Sequence, residues 1–188
     1  MGRVLVEQRR RSRHRRAIGY WVVLLSWLTS LHLSSGAGAV EPLRGLWLIV
    51  HLGMLVAGLG AAVMVEYAGL LWVLGRGTLG ELRLIERRLA VPAWIGFGGL
   101  LVSGVFLAPD LSSPLTALKL GAVLLVGLNA VGMGRLVGEL RRMPAGIRFS
   151  RVPWRVRIWC VASGATSQAA WWSAVLIGAL NTAGHASP

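Results

Sequence analysis

Residues 46–74 read LWLIVHLGMLVAGLGAAVMVEYAGLLWVL, an apolar run broken by one histidine, His51, and one carboxylate, Glu66. At 1.5 Å per residue, a helix of this length exceeds the roughly 30 Å hydrocarbon core of a bilayer, so it spans with tilt or a protruding end. The surrounding chain agrees with that environment. Of its 188 residues 55% are hydrophobic and 14% charged, and the mean hydropathy is +0.63. A soluble domain carries about a quarter of its residues as charged side chains. The fold class expected is all-α, a polytopic helical membrane bundle.

Working outward, three further runs reach spanning length. They are 91–108 (VPAWIGFGGLLVSGVFLA), 115–138 (LTALKLGAVLLVGLNAVGMGRLVG) and 158–180 (IWCVASGATSQAAWWSAVLIGAL). With 46–74 they make four core helices in a domain over 40–181, followed by a short tail, 182–188. Val91-Pro92 reads as a helix opening, since proline suits a first turn. Ahead of it, Leu79, Leu82, Ile85 and Leu89 fall at helical spacing beside charges, a pattern for a separate surface helix.

A fifth apolar run, 17–35, follows the basic segment 1–16, which holds seven arginines. Ala37-x-Ala39 matches a small-residue cleavage site, so residues 17–39 read either as a retained N-terminal helix or as a signal peptide cut after Ala39.

The net charge of +13 rests on twenty Lys+Arg against seven Asp+Glu. Such a balance suits a nucleic-acid partner or a membrane orientation signal, and position separates the two. Loop 75–90 carries Arg76, Arg83, Arg87 and Arg88, and loop 139–157 carries Arg141, Arg142, Arg148, Arg151, Arg155 and Arg157. The alternate connections hold Arg44 alone, beside Glu41 and Asp110. The positive-inside rule places 1–16, 75–90 and 139–157 in the cytoplasm and the C-terminus outside a bacterial inner membrane. The expected partner is the lipid bilayer and not nucleic acid. Trp21, Trp72, Trp94, Trp154 and Trp159 read as a belt at the inner boundary, and Trp47 as one at the outer.

Within the spans the 25 glycines recur among large apolar residues. Ala130, Gly134 and Gly138 form a small-residue ladder; Ser163 with Ser167, and Ala170 with Ala174, are shorter pairs. Such spacings let helix backbones approach closely in lipid. Packing within the chain is the plainer expectation, and a homodimer or membrane-protein partner is the alternative.

Ionisable and polar groups inside a span are costly and mark functional candidates. His51, Met54 and Lys119, with His32 if the first helix is retained, gather in a layer near the outer surface. Imidazole with thioether is a suitable set for copper, and two histidines on neighbouring helices suit haem b. The plainer reading hydrogen-bonds His51 to a neighbouring helix and lets Lys119 snorkel to the interface. Deeper lie Glu66, Asn129 and Gln168, with Ser163, Thr166 and Ser167. They read as an interhelical clasp or as a relay for protons or cations, with Arg135 or an amide as partner for Glu66. His51 and Glu66 stand about 20 Å apart along one helix, too far for a direct shared site.

Cys160 is the only cysteine, which excludes an internal disulfide and Cys-rich metal sites. No HExxH, G-x-S-x-G, P-loop or CxxC motif occurs, which argues against an enzyme.

The stretch SGVFLAPDLSSPLTALKLGAVLLVGLNAVGMGRL, 103–136, ends one helix in small residues, crosses a short outer loop, and opens the next helix with Lys119-Leu120. Together with His51-Leu52-Gly53 early in the preceding span, it resembles the membrane domain of copper-resistance D (CopD-like) proteins. Trp171-Trp172 and Ile177–Asn181 resemble an uncharacterised four-helix relative of that group. The resemblance implies copper handling or a cytochrome-like bundle, with His51 and Lys119 in matching positions. Three functions stand open: metal handling or small-ion transport, haem b electron transfer, and a structural subunit of a larger membrane complex.

Overall fold

The computed structural model describes residues 2–36 and 41–184, with side chains over 14–36 and 42–180. Among these residues the secondary structure is helical: α1 Gly2–Gly36, α2 Arg44–Val73, α3 Leu79–Phe106, α4 Pro114–Leu140 and α5 Trp154–Gly184. Short 3-10 turns at Glu41–Leu43 and Phe149–Arg151 precede α2 and α5. The proposed cleavage site at 37–39 and the tail from His185 lie outside the described residues.

Among the described residues four helices are long and apolar enough to cross a membrane, α2, α3, α4 and the 14–36 part of α1. α5 is not among them, because Ser163, Thr166, Ser167 and Gln168 dilute its middle. The lipid-like exterior is plain from exposure. Ile49, Val56, Ile95 and Leu118 are each more than half exposed and face away from the bundle, an arrangement that only an apolar solvent rewards.

The bundle is built from two antiparallel hairpins, α2 with α3 and α4 with α5, and contacts between the hairpins (α2 to α5, α3 to α4) are sparse. α1 lies against α3 and α4. It runs antiparallel to α4, since Gly19 faces Val131 while the Trp27 indole N–H donates to the Leu120 carbonyl at 3.0 Å. The start of α1, the α2–α3 turn and the α4–α5 loop therefore share one end, the arginine-rich end. The shared core holds Val23, Phe97, Leu100, Val126, Ala170 and Trp171.

Local chemistry sets the α2–α3 turn. Gly75 has φ +72°, a left-handed conformation that glycine adopts without strain. Thr78 then caps α3: its hydroxyl accepts from the Glu81 N–H, and the Glu81 carboxylate accepts from the Thr78 N–H at 2.8 Å. α3 consequently starts at Leu79 and runs unbroken through the stretch expected to be a separate surface helix. Pro92 sits inside α3, not at its opening, and its missing N–H leaves the Arg88 carbonyl without an intrahelical donor.

A second cluster, Trp72, Leu79, Leu136, Leu140 and Val152, closes the arginine-rich end. Trp72 is 2% exposed, so it does not belong to an interfacial belt. Its indole N–H donates to the Ile147 carbonyl at 2.8 Å and its ring meets Phe149 edge-on. Arg83 donates to the carbonyls of Leu140 and Met143, where α4 ends and its last carbonyls lack helical donors. Trp21 and Trp154, in contrast, are 62% and 60% exposed, as expected of belt residues.

Candidate functional site

Glycine sets the register of α2 on α3. A Cβ placed on Gly96 would collide with the Gly58 backbone, and one on Gly99 would collide with the Met54 side chain. With Gly58 on Gly96 and Met54 on Gly99, the next turn brings His51 opposite Ser103. Their contact is a hydrogen bond of 2.8 Å between His51 Nδ1 and Ser103 Oγ.

The direction of that bond follows from the serine. Ser103 Oγ lies 2.6 Å from the Gly99 carbonyl oxygen, one turn back on α3, and 3.4 Å from that of Leu100. The carbonyls can only accept, so the single hydroxyl hydrogen goes to Gly99. Ser103 Oγ must then accept from His51 Nδ1–H, which leaves Nε2 with the free lone pair. Ser103 is 1% exposed, so water does not compete for its oxygen.

All four core helices reach this layer. α2 supplies His51 and α3 supplies Ser103. From α4, Lys119 is near enough to His51 for their charges to interact. The Lys119 ammonium lies 3.8 Å from where a Cβ on Gly178 of α5 would stand, an ordinary van der Waals distance, so α5 borders it at this glycine. About one turn nearer the helix ends, Trp47 and Phe106 stack at 4.0 Å and 8°.

Of the residues expected in this layer, His51 meets Ser103 and Lys119 lies beside Gly178. Met54 shares the α2 face with His51, but its sulfur packs on Gly99 one turn deeper. His32 is exposed on α1, a helix whose neighbours are α3 and α4, away from His51 on α2. Among the described residues no group of three or more His, Cys, Asp or Glu gathers as a metal site.

The deeper polar residues meet on α5. Asn129 Nδ2 donates to the Ser163 carbonyl at 2.9 Å, and Ser163 Oγ donates back to Asn129 Oδ1 at 2.8 Å. One turn along, Ser167 and Gln168 face the Glu66 carboxyl from α5. Gln168 Oε1 accepts from Trp172 Nε1 at 2.7 Å, so the Gln168 NH2 group is what remains for Glu66. Arg135, expected as a partner for Glu66, instead lies over the Trp159 ring at 5.4 Å.

The small-residue expectation divides. Ser163, Ala170 and Ala174 are buried. Ala130, Gly134 and Gly138 are exposed, and a Cβ on either glycine would meet nothing within 4 Å. Packing within the chain is thus corrected for that ladder: it lies on the outer face of α4. The close approach falls instead at Gly58 and Gly96.

Sequence reasoning passed over Ser103, Gly178 and Arg83. Ser103 carried a usable signal, since it continues the Gly96, Gly99 spacing along one face of α3. Comparison with protein-family models, curated proteins and solved structures gave no match for this chain.

Proposed function

We propose that this integral membrane protein handles a small ion through its His51 layer, in the manner of CopD-like proteins, with copper(I) as the ion carried. The observation behind this reading is the fixed His51 ring. Ser103 holds Nδ1–H, so Nε2 presents a lone pair from an apolar bundle, and a hydrogen bond to the other ring nitrogen is what orients metal-binding histidines. Imidazole is a donor that suits copper, and the Met54 thioether packs one turn deeper on the same α2 face. Among the described residues no group of three or more His, Cys, Asp or Glu gathers, as a hard divalent cation would require. The arginine-rich end faces the cytoplasm of a bacterial inner membrane, as the positive-inside rule requires, and the His51 layer lies toward the outer face.

The same lone pair would serve as one axial ligand to haem b, which is the second reading. It needs a further ligand from a partner chain, because His32 is exposed on α1.

One preparation distinguishes these. Detergent-purified protein loaded with copper(I) under reducing conditions should retain copper, and His51→Ala should lose it. A Soret band lost in His51→Ala would instead support haem. Copper and spectrum unchanged by His51→Ala would sink both readings and favour a structural subunit.

A further inference from the structure

We infer that the α4–α5 loop carries a binding site for the phosphate headgroup of an anionic phospholipid, held by Arg148 and Arg151. The two residues line a depression of about 490 Å³ together with Pro144, Gly146 and Ile147.

The loop beneath it is pinned in place. Gly80 N–H donates to the Ala145 carbonyl at 3.0 Å, and Trp72 donates to that of Ile147 at 2.8 Å. Arg151 N–H closes a 3-10 turn on the Arg148 carbonyl at 3.0 Å. Residues three apart on such a turn stand one above the other, so both guanidinium stems leave the same side. Val152 next to them is 3% exposed and anchors the turn in the core at this end of the bundle.

Charge separates these two arginines from Arg141 and Arg142. In the same loop Arg141 pairs with Glu86 at 3.3 Å and Arg142 with Glu139 at 3.7 Å. Among the described residues no carboxylate pairs with Arg148 or Arg151, and both side chains are exposed. A preformed pair of forked donors without a counter-charge matches phosphate.

The occupant is assigned from what adjoins the depression. Three residues beyond Arg151, α5 begins, and Trp154, Ile158 and Val161 lie on one helical face, each 57–60% exposed. An anionic headgroup at Arg148 and Arg151 therefore has an apolar stripe beside it for its acyl chains. A soluble anion would leave that stripe unused.

The test uses the full-length protein in mild detergent with mixed phosphatidylglycerol and phosphatidylcholine, bound lipid being counted by native mass spectrometry. Wild type is expected to retain phosphatidylglycerol selectively. Arg148→Ala/Arg151→Ala should lower that retention on the order of tenfold, both guanidinium groups of the pair acting on one headgroup. Arg141→Ala/Arg142→Ala removes the same charge and should leave retention within roughly twofold, those charges being already partnered. Equal loss in both double variants would overturn the inference in favour of diffuse attraction. Absence of selectivity in the wild type, or its abolition by excess inorganic phosphate, would overturn it in favour of another partner or a free anion. Helical content measured by circular dichroism should be the same in all three proteins, since all four arginine side chains are exposed.

Discussion

Asn129 on α4 and Ser163 on α5 exchange two hydrogen bonds, amide to carbonyl at 2.9 Å and hydroxyl to amide oxygen at 2.8 Å. In hydrocarbon neither residue has water as an alternative, so the pair fixes both the rotation and the register of one helix on the other. Cross-helix bonds in membranes contribute about 0.6 kcal/mol each, with a maximum near 1.7. Asn129→Ala is therefore expected to destabilise the bundle by about 1 kcal/mol, and Ser163→Ala by less, because the backbone carbonyl still accepts. Reversible unfolding in mixed micelles measures both; equal stability of Asn129→Ala and wild type would show that the clasp contributes nothing.

Gly96→Ala and Gly98→Ala form a matched pair on α3. A Cβ at position 96 would overlap the Gly58 backbone, whereas one at position 98 meets nothing within 4 Å. Overpacking of this kind typically costs about 1–3 kcal/mol, while alanine in an open helical position gains up to about 1 kcal/mol over glycine. Opposite signs are expected in the same unfolding assay. Two neutral substitutions would mean that α2 and α3 are not in backbone contact.

Arg83→Ala should loosen the arginine-rich end. Its guanidinium serves the carbonyls of Leu140 and Met143, and hydrogen bonds from charged donors contribute about 1.5–3 kcal/mol. The expected readout is local: faster amide exchange over 136–147, with the His51 end of the bundle unaffected. Uniformly faster exchange along all helices would argue against a local cap.

Ser103→Ala tests the orientation of the His51 ring. Removal of the group that hydrogen-bonds a ligating histidine lowers metal affinity about 10–100-fold. Copper(I) retention should fall by that factor in Ser103→Ala and vanish in His51→Ala, with helical content unchanged in both. Full retention in Ser103→Ala would show that the serine does not prepare Nε2.

The spans were legible because hydrophobic length is a property of the sequence alone. Residues 46–74 and 115–138 appear as helices with ends displaced by only a few positions. α3 was split in two because Pro92 follows a polar stretch and so imitates a helix start. The competing signal was also in the sequence: Thr78-x-x-Glu81 is a capping box, and it sets the true start at Leu79. Small-residue spacing said that helices approach closely but not which faces meet. Ala130, Gly134 and Gly138 have the better spacing and lie outside, whereas Gly58 and Gly96 meet because two helices each present one. The His51 layer was half visible for the same reason. Ionisable residues in apolar runs stand out, while Ser103 and Gly178 gain their roles only from what lies opposite.

Backbone against backbone at Gly58 and Gly96 leaves no side chain between the two axes to serve as a bearing. α2 and α3 must therefore tilt and turn as one stave, and relative displacement within the bundle falls to the thinly packed seam facing α4 and α5. Glu66, Trp171 and Lys119 are side chains that bridge that seam. Two of the three are ionisable, so the mechanical joint of the bundle runs through its intramembrane titratable side chains.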